Sequence, residues 1–257
     1  MGSIIVVGNN KGGVGKTTVS IELSAALQNN KKKVLLVDLD PQCNSTSFCG
    51  AKIDHLNIKD LMDATSDPEE VVQHLKVFDI ISGSPALGNA EKEYTGSERT
   101  YVLSDVLDEL KDEYDYIIID LNTVYNNLLA DMAYVAGDYL ILPTNSDQGG
   151  IDAMDDVISY VSKLKRTPIK PIAMVLVDYD KRKDASHQIW ETMKIKQKEL
   201  MPDGFIAKMN TDANAQSARI QRVTIREYNR RAKVLEDYSE LAKQVIKNIG
   251  RAKGAKK

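Results

Sequence analysis

The residues best equipped for chemistry lie together near the start of the chain, in Gly8-Asn9-Asn10-Lys11-Gly12-Gly13-Val14-Gly15-Lys16-Thr17-Thr18. Asn10 through Thr17 has the spacing G-x-x-x-x-G-K-T, with Asn10 in place of the leading glycine. Such residues in this order suit phosphate binding. Glycines let the backbone wrap around phosphate oxygens, and a helix beginning near Lys16 would aim its unpaired N–H groups and the positive end of its dipole at them. Lys16 could then reach the β- and γ-phosphates, and Thr17 carries the hydroxyl that a magnesium ion needs. An apolar run precedes the loop, and Val19, Ile21, Leu23, Ala26 and Leu27 follow it as an amphipathic helix would have them.

Two acidic sites could serve the same ligand: Val37-Asp38-Leu39-Asp40-Pro41-Gln42 and Ile117-Ile118-Ile119-Asp120, each closing an apolar run. At the C-terminal edge of a parallel sheet, both would share the rim on which ligands bind. Asp38 fits two roles equally, orienting the loop at its strand end or standing in the shell of a magnesium ion. Leu121 and Asn122 follow Asp120, so no glutamate stands next to it as a general base, and slow turnover of a bound triphosphate is expected.

The pattern K-G-G-x-G-K-T-T over residues 11–18 resembles the deviant Walker A motif of the ParA and MinD superfamily of ATPases. In that family the early lysine, here Lys11, reaches across a nucleotide-sandwich dimer to the partner's phosphates. A triphosphate shared by two copies gains this second cation only when both are present, so association becomes ATP-dependent. D-L-D-P-Q resembles the family's second box, in which the later aspartate, here Asp40, positions the attacking water. Asp120 resembles the Walker B aspartate. Weaker similarity to ParA partition ATPases continues through Tyr114-Asp115-Tyr116, Val177-Asp178-Tyr179-Asp180-Lys181-Arg182 and Tyr238-Ser239-Glu240-Leu241. The resemblance implies ATP and Mg2+ as cofactors, with catalytic roles for Lys11, Lys16 and Asp40. It places nucleotide contacts at Lys11, Gly12, Gly13, Val14, Gly15, Lys16, Thr17 and Thr18, and magnesium at Thr17 and Asp120, with Asp38 the open third. It further implies an ATP-bound homodimer that coats DNA without sequence preference until a centromere-binding adaptor protein stimulates hydrolysis. The family follows its Walker B aspartate with small residues and prolines; Leu121-Asn122-Thr123-Val124 departs from this, so a differently shaped switch loop is expected. A MinD-like membrane-associated positioning ATPase shares the loop and is the alternative, but the end of the chain has too little apolar area for a membrane-binding amphipathic helix.

The chain's 257 residues are 42% hydrophobic and 28% charged, an ordinary globular balance. Its net charge of −3 hides an asymmetry: 13 Lys/Arg against 5 Asp/Glu from Phe205 onward, and 21 against 32 before it. A basic end on an acidic body suits a polyanion partner, and a solvated Lys/Arg-rich surface would look the same. Arg219, Arg222, Arg226, Arg230 and Lys233 recur at intervals of three and four, so a continuous helix would align them in one stripe facing DNA phosphates. The β-branched run Val223-Thr224-Ile225 is expected to break that helix and split the stripe. Internal pairing with Glu227, Glu236 or Asp237 is the competing reading. Few aromatics interleave, which favours phosphate contact over base stacking.

Positioning these residues requires an alternating framework. Short β-branched runs at 4–7, 34–37, 80–81, 116–119, 139–142, 172–177 and 205–206 read as strands buried on both faces. Helices are expected over 17–29, 99–113, 126–136, 151–165, 185–200, 213–221 and 234–249, with Pro143, Pro168, Pro171 and Pro202 at boundaries. The expected fold class is α/β: a doubly wound, mainly parallel sheet with helices on both faces, of the P-loop NTPase type. Residues 1–250 read as a single ATPase domain and 251–257 as a basic flexible tail. Cys43 and Cys49 fit neither a C-x-x-C pair nor a zinc knuckle. No apolar run approaches the roughly 20 residues of a membrane span, and residues 1–7 lack a basic leader. A cytoplasmic, nucleoid-associated protein without a membrane partner is expected.

Overall fold

A computed structural model describes residues 1–122, 127–164 and 169–254. The first half of the chain runs β1 (Ser3–Val7), α1 (Lys16–Asn29), β2 (Val34–Leu39), α2 (Asn44–Phe48), α3 (Ile58–Met62), α4 (Pro68–Val71), β3 (Val72–His74), β4 (Asp79–Ile81), α5 (Ala90–Glu93), α6 (Val102–Leu110) and β5 (Tyr116–Leu121). Then follow α7 (Leu128–Ala136), β6 (Tyr139–Thr144), α8 (Gln148–Lys163), β7 (Lys170–Tyr179), α9 (Asp184–Leu200), β8 (Phe205–Asn210), α10 (Ala213–Ile220), α11 (Ile225–Tyr228) and α12 (Val234–Gly254). The strands form one sheet in the order β3-β4-β2-β5-β1-β6-β7-β8. Pairing is parallel except at the edge, where β3 runs antiparallel to β4.

β1, β2, β5 and β6 are buried at every position. Successive side chains point to opposite faces of a strand. Thus Ile4, Val6, Leu35, Val37, Ile117 and Ile119 enter one core with α3, α6, α7 and α8, while Ile5, Val7, Leu36 and Ile118 enter the other with α1 and α12. Helices on both faces are why these strands read as unbroken apolar runs.

Several boundaries differ from expectation. α1 is not an amphipathic surface helix: Val19 through Leu27 are all buried, because the sheet, α2 and α12 enclose it. α8 begins at Gln148, three residues earlier than expected, since the Asp147 side chain caps it by accepting from Gly149 N–H. α6 is confined to Val102–Leu110. Pro143 and Pro171 lie inside β6 and β7 rather than at their boundaries; the sheet accommodates Pro171 with a register shift where Leu140 faces Pro171 and Ile141 faces Ala173. Residues 251–254, expected in a flexible tail, continue α12, whose buried side is Tyr238, Leu241, Ala242, Val245 and Ile249. The expected tail's last three residues, Asn126, Lys165, Pro168 and the Thr123-Val124 part of the switch loop lie outside the described residues.

Candidate nucleotide-binding site

β1 ends at Val7 in the middle of the sheet, and residues 8–15 link it to α1. Gly13 and Gly15 have φ of 73° and 85°, left-handed values that favour glycine. At Gly15 a Cβ would also lie 3.0 and 3.1 Å from the two Val177 methyl groups. Val14 is fully buried and anchors the loop. Asn9 ties it to β6 and α8: its Nδ2 donates to Pro143 O (2.7 Å) and Gly150 O (3.3 Å), and its Oδ1 accepts from Lys11 N–H (3.0 Å). No side chain caps α1, which leaves its first N–H groups for an anion. Lys16 is only 7% exposed, and its Nζ donates across the loop to Lys11 O at 3.1 Å. Burial pulls its pKa down to about 8, against the charges of Asp120 and Asp40.

The β2–β5 register sets Asp38 beside Asp120, and the β1–β5 register sets Val7 beside Asp120. Both carboxylates therefore stand at the root of the loop. Asp120 accepts from Ser20 Oγ (2.9 Å), from Ser45 Oγ (2.6 Å) and from the Thr17 side chain. Its burial raises its pKa, opposed by those hydroxyls and by Lys16. Thr17 and Asp120 in contact are the donor set that a phosphate-bound magnesium ion uses. Among the described residues no group of three or more His, Cys, Asp or Glu side chains could hold a metal, so such an ion would take its other ligands from phosphate and water.

Asp38 is bonded to the turn after β2. Its Oδ2 accepts from Thr46 N–H (2.8 Å) and Thr46 Oγ1 (2.7 Å), and its Oδ1 from Asp40 N–H (3.1 Å). Both oxygens thus hold the turn after β2. Burial and then Asp120 push its pKa up to about 7. Asp40 sits half-buried on the rim, accepting from Gln42 N–H (2.9 Å) and Asn44 Nδ2 (3.3 Å). With Gly13, Lys16, Thr17 and Thr18 it lines a cleft that extends to Phe48, Asp178 and Arg219.

Lys11 does not join Lys16 inside this cleft. Its amine forms an ion pair and hydrogen bond with Asp147 Oδ1, which also accepts from Gly149 N–H at 2.8 Å. Lys11 holds the Asp147 carboxyl below the usual carboxylate range. Sequence reasoning missed Asp147, whose only signal was its position before a Gly-Gly helix start. It also missed Ser20, Ser45 and Thr46, small polar residues that gain meaning only once the carboxylates are placed.

The basic stripe is broken, as expected. α10 ends at Ile220, Arg222 takes φ 56°, and Thr224 starts α11 with a capping box to Glu227. Arg222 thus lies in a turn, Arg226 on α11, and Arg230 and Lys233 in the following loop, all exposed. Two proposed internal partners are engaged elsewhere: Glu227 Oε2 accepts from Thr224 N–H (3.1 Å) and Asp237 Oδ2 from Asn210 N–H (2.8 Å). Arg219 departs from the group. Its guanidinium lies 5.3 Å over the Phe48 ring, on the wall of the nucleotide cleft.

A glycine loop between β1 and α1, with carboxylates on the adjoining strands of a mainly parallel sheet, defines the P-loop class of nucleotide-binding proteins. A family model described as an AAA domain matches residues 2–175. Over 202 residues the chain is 32% identical to the chromosome partitioning protein ParA of Myxococcus xanthus, covering 76% of this chain and 71% of that one. Over 258 residues it is 30% identical to the sporulation initiation inhibitor protein Soj of Bacillus subtilis, covering 96% and 100%. In fold it is similar to cobyrinic acid a,c-diamide synthase of Mycobacterium smegmatis with bound ATP analog and magnesium, at TM-score 0.81 and 23% identity over 96% of this chain and 94% of that one. The chain belongs to the ParA/MinD superfamily of P-loop ATPases, with partition ATPases among its relatives.

Proposed function

We propose that this chain is an ATP-dependent DNA partition ATPase: it forms an ATP-sandwich homodimer, binds DNA non-specifically, and is released on slow, partner-stimulated hydrolysis. One observation carries the reading. The loop has two lysines, of which Lys16 is turned inward among the phosphate-binding groups while Lys11 is held at the rim by an exposed acid. A second amine outside the pocket suits a second copy's phosphates. In this reading the N–H groups of residues 11–18 and Lys16 hold the triphosphate, Thr17 and Asp120 hold magnesium, and Asp40 orients the attacking water. Bound magnesium would neutralise charge developing on the β- and γ-phosphates. Arg222, Arg226, Arg230 and Lys233 are the DNA contacts, Arg219 being better placed to sense the nucleotide. A centromere-binding adaptor would complete the cycle, in the cytoplasm and on the nucleoid.

Against the membrane alternative, the apolar side of α12 is already buried against the sheet. No helix among the described residues is long and apolar enough to cross a membrane. Co-sedimentation with ATP decides between the readings. Duplex DNA should carry the protein down, with affinity falling steeply between low and moderate salt, and anionic liposomes should not. Capture by liposomes alone would overturn the partition reading.

A further inference from the structure

Glu22 is a buried carboxylate that the nucleotide chemistry does not use. It lies on α1, six residues beyond Lys16, and its Oε1 accepts from Ile225 N–H at 2.8 Å across 203 residues of sequence. That N–H is the first of α11, a one-turn helix carrying Arg226. So short a helix cannot hold itself. A second hydrogen-bonded support is the Thr224 box, in which Thr224 Oγ1 accepts from Glu227 N–H at 3.2 Å, and Ile225 itself is buried in the core. The same face of α1 continues the contact: Thr18, Ile21 and Glu22, at i, i+3 and i+4, share a crevice with Ala218, Val223 and Ile225.

We infer that Glu22 is a positioning residue that fastens the basic segment from Arg222 to Lys233 onto the helix that begins at the phosphate loop, so that nucleotide occupancy and DNA affinity are coupled through this contact. The inference rests on the partition reading for its ligand. α1 carries Lys16 and Thr17 at one end and Glu22 about two turns along, within one continuous helix enclosed by the sheet, α2 and α12. Phosphate binding at its first turn would thus act on Ile225, and through it on Arg226, by way of the Glu22 contact. Coupling between two sites is reciprocal, so DNA must also tighten ATP.

The test compares wild type with Glu22→Met, which keeps length and removes the acceptor, and Glu22→Gln, which keeps a carbonyl acceptor. Three quantities are read: amide exchange over 225–228, ATP-dependent dimerisation, and affinity for a short duplex at fixed salt with ATP or ADP. Glu22→Met should speed exchange at 225–228 and leave dimerisation intact. It should also weaken the ATP-state DNA affinity about five- to tenfold, toward the ADP value. Glu22→Gln should behave as wild type in all three. Should Glu22→Met fail to fold, Thr224→Ala loosens α11 from its other side and should reproduce the exchange and DNA effects. Wild-type exchange and DNA affinity in the loosened variants would overturn the inference. Wild-type protein with no DNA affinity at any salt would instead overturn the partition reading, and unchanged exchange in Glu22→Met would then separately refute the fastening role.

Discussion

Gly15→Ala tests why the phosphate loop is built as it is. Two costs are legible. Alanine at φ 85° enters the left-handed region, worth about 1–2 kcal/mol. Its Cβ would also meet both Val177 methyl groups at 3.0 and 3.1 Å, and overpacking of this kind costs about 1–3 kcal/mol. The single variant should therefore lose about 3 kcal/mol of unfolding free energy in a denaturant titration. Val177→Ala removes two nearly buried methyl groups and should cost about 2 kcal/mol by itself. If the clash is real, the two losses do not add: the double variant should recover about 1–2 kcal/mol relative to their sum, leaving the conformational cost behind. ATP affinity should fall in Gly15→Ala and be partly restored in the double variant. Additivity within about 0.5 kcal/mol would refute the steric half of the reasoning, and a Gly15→Ala protein as stable as wild type would refute both halves.

Three further outcomes follow from the electrostatics. With Lys16 at about 8 rather than 10.5, the unfolded chain holds more protons between those values, so this group's contribution to stability rises with pH there. A bound triphosphate favours the ammonium, so ATP binding near pH 8.5 should take up protons. Calorimetry in buffers of different ionisation enthalpy would detect this, and Lys16→Met should abolish it. Glu22 shows the opposite sign. Burial, opposed by the Ile225 hydrogen bond and Arg226 and aided by Glu227, raises it from 4.5 to about 7. The folded chain therefore binds more protons across that window, and stability falls as pH rises through it, by up to about 3 kcal/mol. Denaturation at pH 5 and pH 8 should show this slope in wild type and a shallower one in Glu22→Gln; equal slopes would remove Glu22 as its source. Asp147→Asn keeps a good cap for α8 but releases Lys11. ATP-dependent association should then occur at lower protein concentration in analytical ultracentrifugation, and weaker association would mean that the pair is no restraint.

The nucleotide half of the molecule is legible in sequence because its signals are local. Loop spacing, the apolar strand before it and the carboxylates at Asp40 and Asp120 each declare themselves within a few residues. What escaped depends on distant partners. The hydrogen bonds of Asp38 to Thr46 could not be foreseen from spacing, and Glu22 looks like one polar position in an apolar helix until Ile225 arrives from the far end of the chain. α1 read as amphipathic because sequence cannot say that α12 covers its second side. The split of the arginine stripe was legible in Val223-Thr224-Ile225, and the Arg222 turn and the Thr224 cap make it; that Arg219 ends over Phe48 beside the nucleotide cleft was not. α12 outran its expected end at 249 because Ala252, one turn beyond Ile249, still packs against the core.

The most direct measurement is the mass of the purified protein by size-exclusion chromatography with light scattering, run with ATP and magnesium, with ADP, and without nucleotide, for wild type and Lys11→Ala. The account predicts a dimer of wild type with ATP alone and a monomer of Lys11→Ala in every condition. A dimer indifferent to nucleotide, or one that survives loss of Lys11, would contradict it.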